Sequence, residues 1–201
     1  DLREVGRRDD RAAQVQLAYP ELFPNAAIVA GGPCGCAGGK LDVALGSCMK
    51  GVPAPDVGAL VAGAASRSAS GEIGALKSLA HARVYLLHGK DDALVAPAVA
   101  EAGARFYRQL RDGTPGLKGM RVHDDGQRAF AHNLPVAGEG DDCGKSVAPY
   151  LGHCGFDAAG EIFAQMFGKP ARAATEARGE LRTFDQDALR PGGADAFMAA
   201  T

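Results

Sequence analysis

Apolar runs and amphipathic stretches alternate along the chain and predict strands and helices in turn. Residues 12–19 are compatible with a helix that Pro20 ends. The short apolar run 26–30 stops at Gly31-Gly32-Pro33 and reads as a buried strand leading into a loop. A helix is expected over 55–67, with Asp56 near its start. Val84-Tyr85-Leu86-Leu87 centres the clearest strand, over 83–88. The next helix, over 97–111, has Pro97 in its first turn and Val99, Ala102, Phe106 and Leu110 spaced to line one face. A weaker strand follows at 117–123. The last amphipathic helix, over 157–167, is expected to turn Ile162, Phe163 and Met166 inward, with Gly168 in the capping position. This order predicts an α/β protein, a mostly parallel sheet flanked by helices.

Composition narrows the class. A chain of 201 residues with 46% hydrophobic content lies within the one-domain range and can bury a core. Beyond Phe167 and Gly168 the composition shifts to Ala, Arg, Glu and Gly, so 1–168 is expected to be the core and 169–201 a linker or tail. The net charge is -2, and no run of Lys or Arg exceeds two. Nothing provides the basic stripe that nucleic acid or an anionic membrane surface requires, and neither is an expected partner. No apolar stretch reaches the roughly 18 residues of a membrane span. Asp1-Leu2-Arg3-Glu4 is not a signal peptide, which leaves a cytosolic chain or one whose beginning is missing.

Cysteines and titratable residues supply the candidate chemistry. Cys36 and Cys48 bracket one Gly-rich loop, and Cys143 and Cys154 another. Disulfides there would contribute on the order of 3 kcal/mol each. Zinc would need four convergent ligands, and Cys34-Gly35-Cys36 lacks the usual two-residue spacer. Buried thiols are the third reading. No cofactor or metal is expected. Gly89-Lys90-Asp91-Asp92 follows the best strand, at the sheet edge where catalytic groups collect in open α/β folds. Asp92 there is either an acid that orients an imidazole or an N-capping residue on a solvated turn. His132, about forty residues on, stands where the histidine of a Ser…Asp…His order falls, or is a plain exposed loop histidine. The nucleophile is the missing member. Ser47, Ser66, Ser68, Ser70, Ser78 and Ser146 all lack a Gly-x-Ser-x-Gly elbow, and Cys34 is either a structural thiol or a substitute nucleophile.

Several strings resemble one family. Ala13-Gln14-Val15-Gln16-Leu17-Ala18-Tyr19-Pro20-Glu21-Leu22-Phe23, then Ala30-Gly31-Gly32-Pro33 and Cys36, is similar to the segment after the lipase box of extracellular polyhydroxybutyrate depolymerases and related secreted esterases. Gly89-x-x-Asp92-x-x-Val95 resembles their acid motif, and Ala131-His132-Asn133-Leu134-Pro135 their histidine motif. Ala148-Pro149-Tyr150-Leu151-Gly152 with Cys154-Gly155-Phe156-Asp157 resembles their cysteine-bearing loop and final helix, and Phe184-Asp185-Gln186 a motif in the following connector.

The resemblance implies a partial α/β-hydrolase fold and a secreted or periplasmic monomer. It also implies a serine carboxylic-ester hydrolase acting on poly(3-hydroxybutyrate), related polyesters or short esters, with Asp92 and His132 catalytic. The bridges Cys36–Cys48 and Cys143–Cys154 match the family's paired positions, leaving Cys34 outside. Counting back from Ala12 puts the family's serine near Gly6, where Gly6-Arg7-Arg8-Asp9-Asp10-Arg11 stands instead. The family's sheet also continues past the Phe-Asp-Gln motif into a segment that completes the oxyanion hole. The chain is therefore expected to be a fragment or frameshifted product of such an esterase, inactive without its serine. Its rivals are a non-catalytic binding module of the same fold and a Cys34 hydrolase.

Overall fold

The computed structural model describes residues 11–168, 179–180 and 182–185. Three parallel strands, β1 (Ala26–Val29), β2 (Arg83–Gly89) and β3 (Arg121–Arg128), lie in that order in one sheet. Ala26 stands opposite Val84 and Ile28 opposite Leu86; Arg83 stands opposite Arg121 and Leu87 opposite Asp125. Helix α1 (Arg11–Ala18) precedes the sheet. Two short helices, α2 (Leu41–Leu45) and α3 (Ser47–Lys50), and the longer α4 (Val57–Ser70) connect β1 to β2, and α5 (Pro97–Gly113) connects β2 to β3.

The middle strand is covered on both faces. Val84 and Leu86 join Leu17, Ala64, Ala102, Phe106 and Leu110 of the α1, α4 and α5 layer. Tyr85 and Leu87 pack on the opposite face with Phe130 and with Ala158 and Met166 of the last helix, α6 (Ala158–Phe167). Burial on both sides is why residues 84–87 read as an unbroken apolar run and not as an alternating one. Helix boundaries follow from capping. The Asp56 carboxylate accepts from Ala59 N at 3.0 Å, which sets the start of α4 at Val57, and Gly71 in the left-handed region ends it. Pro97 opens α5, and Val99, Ala102, Phe106 and Leu110 are buried along it as their spacing predicts.

Two expectations need correction. The strand placed at 117–123 lies at 121–128, because Leu117 and Met120 belong to hydrogen-bonded turns after α5 that plug the first apolar layer. The strand itself is polar, since among the described residues it pairs only with β2 and leaves most of its side chains part-exposed. Phe163 does not face inward: it is 62% exposed and packs against the ring of Phe167. The inward stripe is Ala158, Ile162 and Met166 at i, i+4 and i+8, and Phe163 sits one residue, about 100°, round the helix from it.

A second parallel sheet was not expected. It comprises β4 (Leu134–Val136), β5 (Asp141–Asp142) and β6 (Leu151–His153) in the order β4-β6-β5. Strands of two or three residues carry no readable period. The Cys143–Cys154 bridge closes the segment between β5 and α6, and Cys36–Cys48 closes the loop that carries α2; both pairings are those expected. Cys34 is buried and takes part in neither. Beyond Gly168 the described residues, 179–180 and 182–185, are exposed and hold an Arg182–Glu180 ion pair at 3.4 Å. The remainder of 169–201, and the segment around Gly6, lie outside the described residues.

Candidate active site

The site forms where β2 ends. The pairing of β2 with β3 shifts register between Leu87 and Gly89, and Lys90 N then donates to Arg128 O at 2.9 Å. A Cβ on Gly89 would run into the carbonyl of Phe130. Only glycine lets the chain leaving β3 cross so closely over the end of β2. That crossing sets the loop carrying His132 beside the loop carrying Asp92.

Asp92 is 4% exposed, whereas Asp91 is exposed. The capping reading fails, because α5 begins after Ala96 and no side chain caps it. The Asp92 carboxylate instead organises its own turn: Oδ1 accepts from Leu94 N at 2.8 Å and from Val95 N at 2.9 Å. The other oxygen, Oδ2, lies 2.8 Å from His132 Nδ1. Burial alone would raise the carboxyl pKa. The hydrogen bonds from His132 and Val95, and the charge of His132, overcome that and hold it below the usual carboxylate value. A buried, ionised acceptor places the proton on Nδ1 and makes Nε2 the basic nitrogen.

The His132 loop is pinned from the bridged segment. His132 N donates to Ser146 Oγ at 3.0 Å and Ala131 N to Cys143 O at 3.0 Å. Asn133, 6% exposed, spends both amide hydrogens on Cys143 O (2.9 Å) and Lys145 O (3.0 Å). Its side chain lies where a Cβ on Gly152 would be, which locks it against β6. Tyr150 stands edge-on to the imidazole, ring centroids 6.1 Å apart, with a left-handed backbone φ of 61°. The imidazole keeps 24% of its side chain accessible while the carboxylate keeps 1%.

Two contributors to this geometry carry no signal in the sequence, since both act on main-chain carbonyls: Asn133, and Lys50, whose Nζ donates to Ala93 O and Leu94 O of the Asp92 loop. Of the serines, Ser146 accepts from the His132 backbone, and Ser68 and Ser70 serve the end of α4. Among the described residues no group of three or more His, Cys, Asp and Glu side chains converges as a metal ion would require. No described helix is long and apolar enough to cross a membrane.

Comparison with known proteins places this arrangement in context. No family model matches the chain. The poly(3-hydroxybutyrate) depolymerase of Delftia acidovorans is 30% identical over 158 residues, which are 78% of this chain and 31% of that protein. A PHB depolymerase with a serine-to-alanine substitution, solved in complex with an R3HB trimer, matches with a TM-score of 0.65 at 23% identity, over 83% of this chain and 50% of that one. The PHB depolymerase from Penicillium funiculosum matches with a TM-score of 0.65 at 22% identity, over 82% and 50%. The chain thus spans 31% of the length of the curated relative and half of each solved chain. The structural likeness shows the fold, a partial α/β-hydrolase of parallel sheet flanked by helices.

Proposed function

We propose that this chain, similar over 78% of its length to a poly(3-hydroxybutyrate) depolymerase, carries the acid and base of a serine-esterase site for poly(3-hydroxybutyrate), related polyesters or short esters. The observation that carries the reading is the 2.8 Å contact between the buried Asp92 carboxylate and His132 Nδ1, made by loops after two neighbouring strands. In such a site a serine Oγ attacks the ester carbonyl, and His132 Nε2 takes its proton and returns it to the departing alcohol. Water then repeats the cycle on the acyl-enzyme. Asp92 holds the productive tautomer and stabilises the imidazolium. The order of acid then histidine, each after its own strand, fits the Ser…Asp…His sequence of this fold.

None of the six serines in the 201 residues has a Gly-x-Ser-x-Gly setting, so the chain as it stands is proposed to be silent in ester hydrolysis. A Cys34 nucleophile is disfavoured: reactive thiolates need partial exposure, and Cys34 is 4% exposed among the residues of the first apolar layer. The alternative of a non-catalytic module draws on the charged run Arg7-Arg8-Asp9-Asp10-Arg11. Two disulfides support an oxidising, extracellular or periplasmic location.

The experiment compares turnover of a short nitrophenyl ester and of a polyhydroxybutyrate suspension. The 201-residue chain is expected to match its His132→Ala variant. A version in which Gly-Leu-Ser-Ala-Gly-Gly-Tyr-Met replaces residues 4–11, extended with the family's final segment, is expected to gain activity. That activity should fall on the order of a thousandfold or more on Asp92→Ala or His132→Ala. Hydrolysis by the original chain that survives His132→Ala would place the chemistry elsewhere and end the triad reading.

A further inference from the structure

Lys50 closes α3, two residues after the bridged Cys48, and its ammonium reaches across to the acid loop. Nζ donates to Ala93 O at 2.9 Å and to Leu94 O at 3.0 Å. These carbonyls belong to two particular peptide groups. The N–H of the first, on Leu94, and the N–H of the second, on Val95, are the two donors to Asp92 Oδ1. Two consecutive peptide units are therefore held end to end between an ammonium on their oxygen side and a carboxylate on their nitrogen side. An adjacent main-chain bond, Ala96 N to Met49 O at 2.7 Å, ties the same two loops together.

We propose that Lys50 is the positioning residue for Asp92, acting through these two peptide groups; this rests on Asp92 being the acid of the esterase site. A cation on a peptide oxygen polarises that peptide and strengthens donation from its N–H, as in any chain of hydrogen bonds. Lys50 thereby fixes the turn and favours the ionised carboxylate without touching it. A plain surface lysine would gain little from holding one rotamer, since a long exposed side chain loses entropy when immobilised. Paired donation to successive carbonyls, anchored by the Cys36–Cys48 loop, supplies a reason for that order. The loop position matters because catalytic groups must be held to about 0.5 Å. His132 meets the far oxygen of Asp92 and not the turn itself, so the turn needs a grip from the other side.

The test uses the 201-residue chain and does not depend on turnover. Carboxyl ¹³C NMR follows the Asp92 titration, and low-field ¹H NMR follows the His132 Nδ1 proton, assigned with His132→Gln. Lys50→Met, which keeps the stem and removes donors and charge, should raise the Asp92 pKa by roughly half a unit to one unit and weaken or abolish the low-field proton. Lys50→Gln, a second neutral variant, should do the same. Lys50→Arg should restore both signals, and Lys77→Met, on a remote exposed lysine, should change neither. In the serine-restored enzyme, Lys50→Met should lower kcat with KM little changed. Unchanged Asp92 and His132 signals in both neutral variants overturn the proposal, as does an equal shift in Lys50→Arg. If the signals move as expected but the restored chain hydrolyses no ester, the function proposed above fails while the positioning role stands. Ester hydrolysis by the restored chain with unmoved signals supports that function and removes the positioning role.

Discussion

His88 is a residue that packing alone does not justify. It is 2% exposed at the end of an apolar strand, and among the described residues neither ring nitrogen finds a well-formed hydrogen bond. Leaving such groups unsatisfied costs about 1–3 kcal/mol. Burial pushes its pKa below the ordinary histidine value; the negative charge of Asp92 and the nearby Val95 backbone oppose the shift, and the charge of His132 adds to it. The unfolded chain therefore takes up this proton at a higher pH than the folded one does. Stability is complete above the unfolded value of about 6.5 and is lost as pH falls through the folded value. A His88→Leu variant removes this linkage, and Asp92, whose titration lies below the usual carboxylate range, does not interfere near pH 5. Urea midpoints of variant and parent should differ more at pH 5 than at pH 7.5, with the variant the more stable at pH 5. An equal gap at both values would mean that His88 is not the linked group. At this scale chain order makes Asp92 and His132 legible as candidates, and the structure leaves Asp91 exposed beside them. Lys50 is not legible, because donation to a main-chain carbonyl over forty residues away imposes no requirement on any other side chain.

At the scale of elements, legibility follows burial. β2 and α5 are the two elements most fully inside, and their expected extents differ from the observed ones by a residue or two. β3 lies away from its expected place because its own residues are polar while the apolar signal comes from the turn before it. The small second sheet is invisible in the sequence, being held by Asn133, the bridge and main-chain bonds and not by a periodic apolar face. The orientation of α6 offers a direct measurement. Met166, 6% exposed, joins the layer under β2, so Met166→Ala should cost about 2–5 kcal/mol. Phe163→Ser changes a larger side chain, yet should stay within about 0.5 kcal/mol because the ring is mostly in solvent. Comparable losses from the two variants would show that Phe163 is covered in solution and return the helix to its expected orientation.

For the whole molecule, the two bridges and the core divide the work. The core joins elements from α1 to α6 through the faces of one sheet, whereas each bridge closes a segment of 12 or 11 residues beside a site loop. Loops of that length contribute about 3 kcal/mol each when closed, by restricting the unfolded chain. A domain of this size has a total stability of roughly 5–15 kcal/mol. Losing one bridge is thus tolerable, and losing both approaches the lower end of the whole. The two bridges adjoin different contacts, Met49 and Lys50 just after Cys48 meeting the Asp92 loop and Cys143 and Ser146 the His132 loop, so their effects should nearly add. The paired variants Cys36→Ser with Cys48→Ser, and Cys143→Ser with Cys154→Ser, should each remain cooperatively folded at 20 °C with urea midpoints lowered by about 3 kcal/mol equivalent. The fourfold variant should lose about 6 kcal/mol and populate the unfolded state at 37 °C without denaturant. A fourfold loss no larger than either paired loss would mean that the two loops are coupled through the Asp92–His132 contact, and would make that contact a structural link between the bridges as well as the centre of the site.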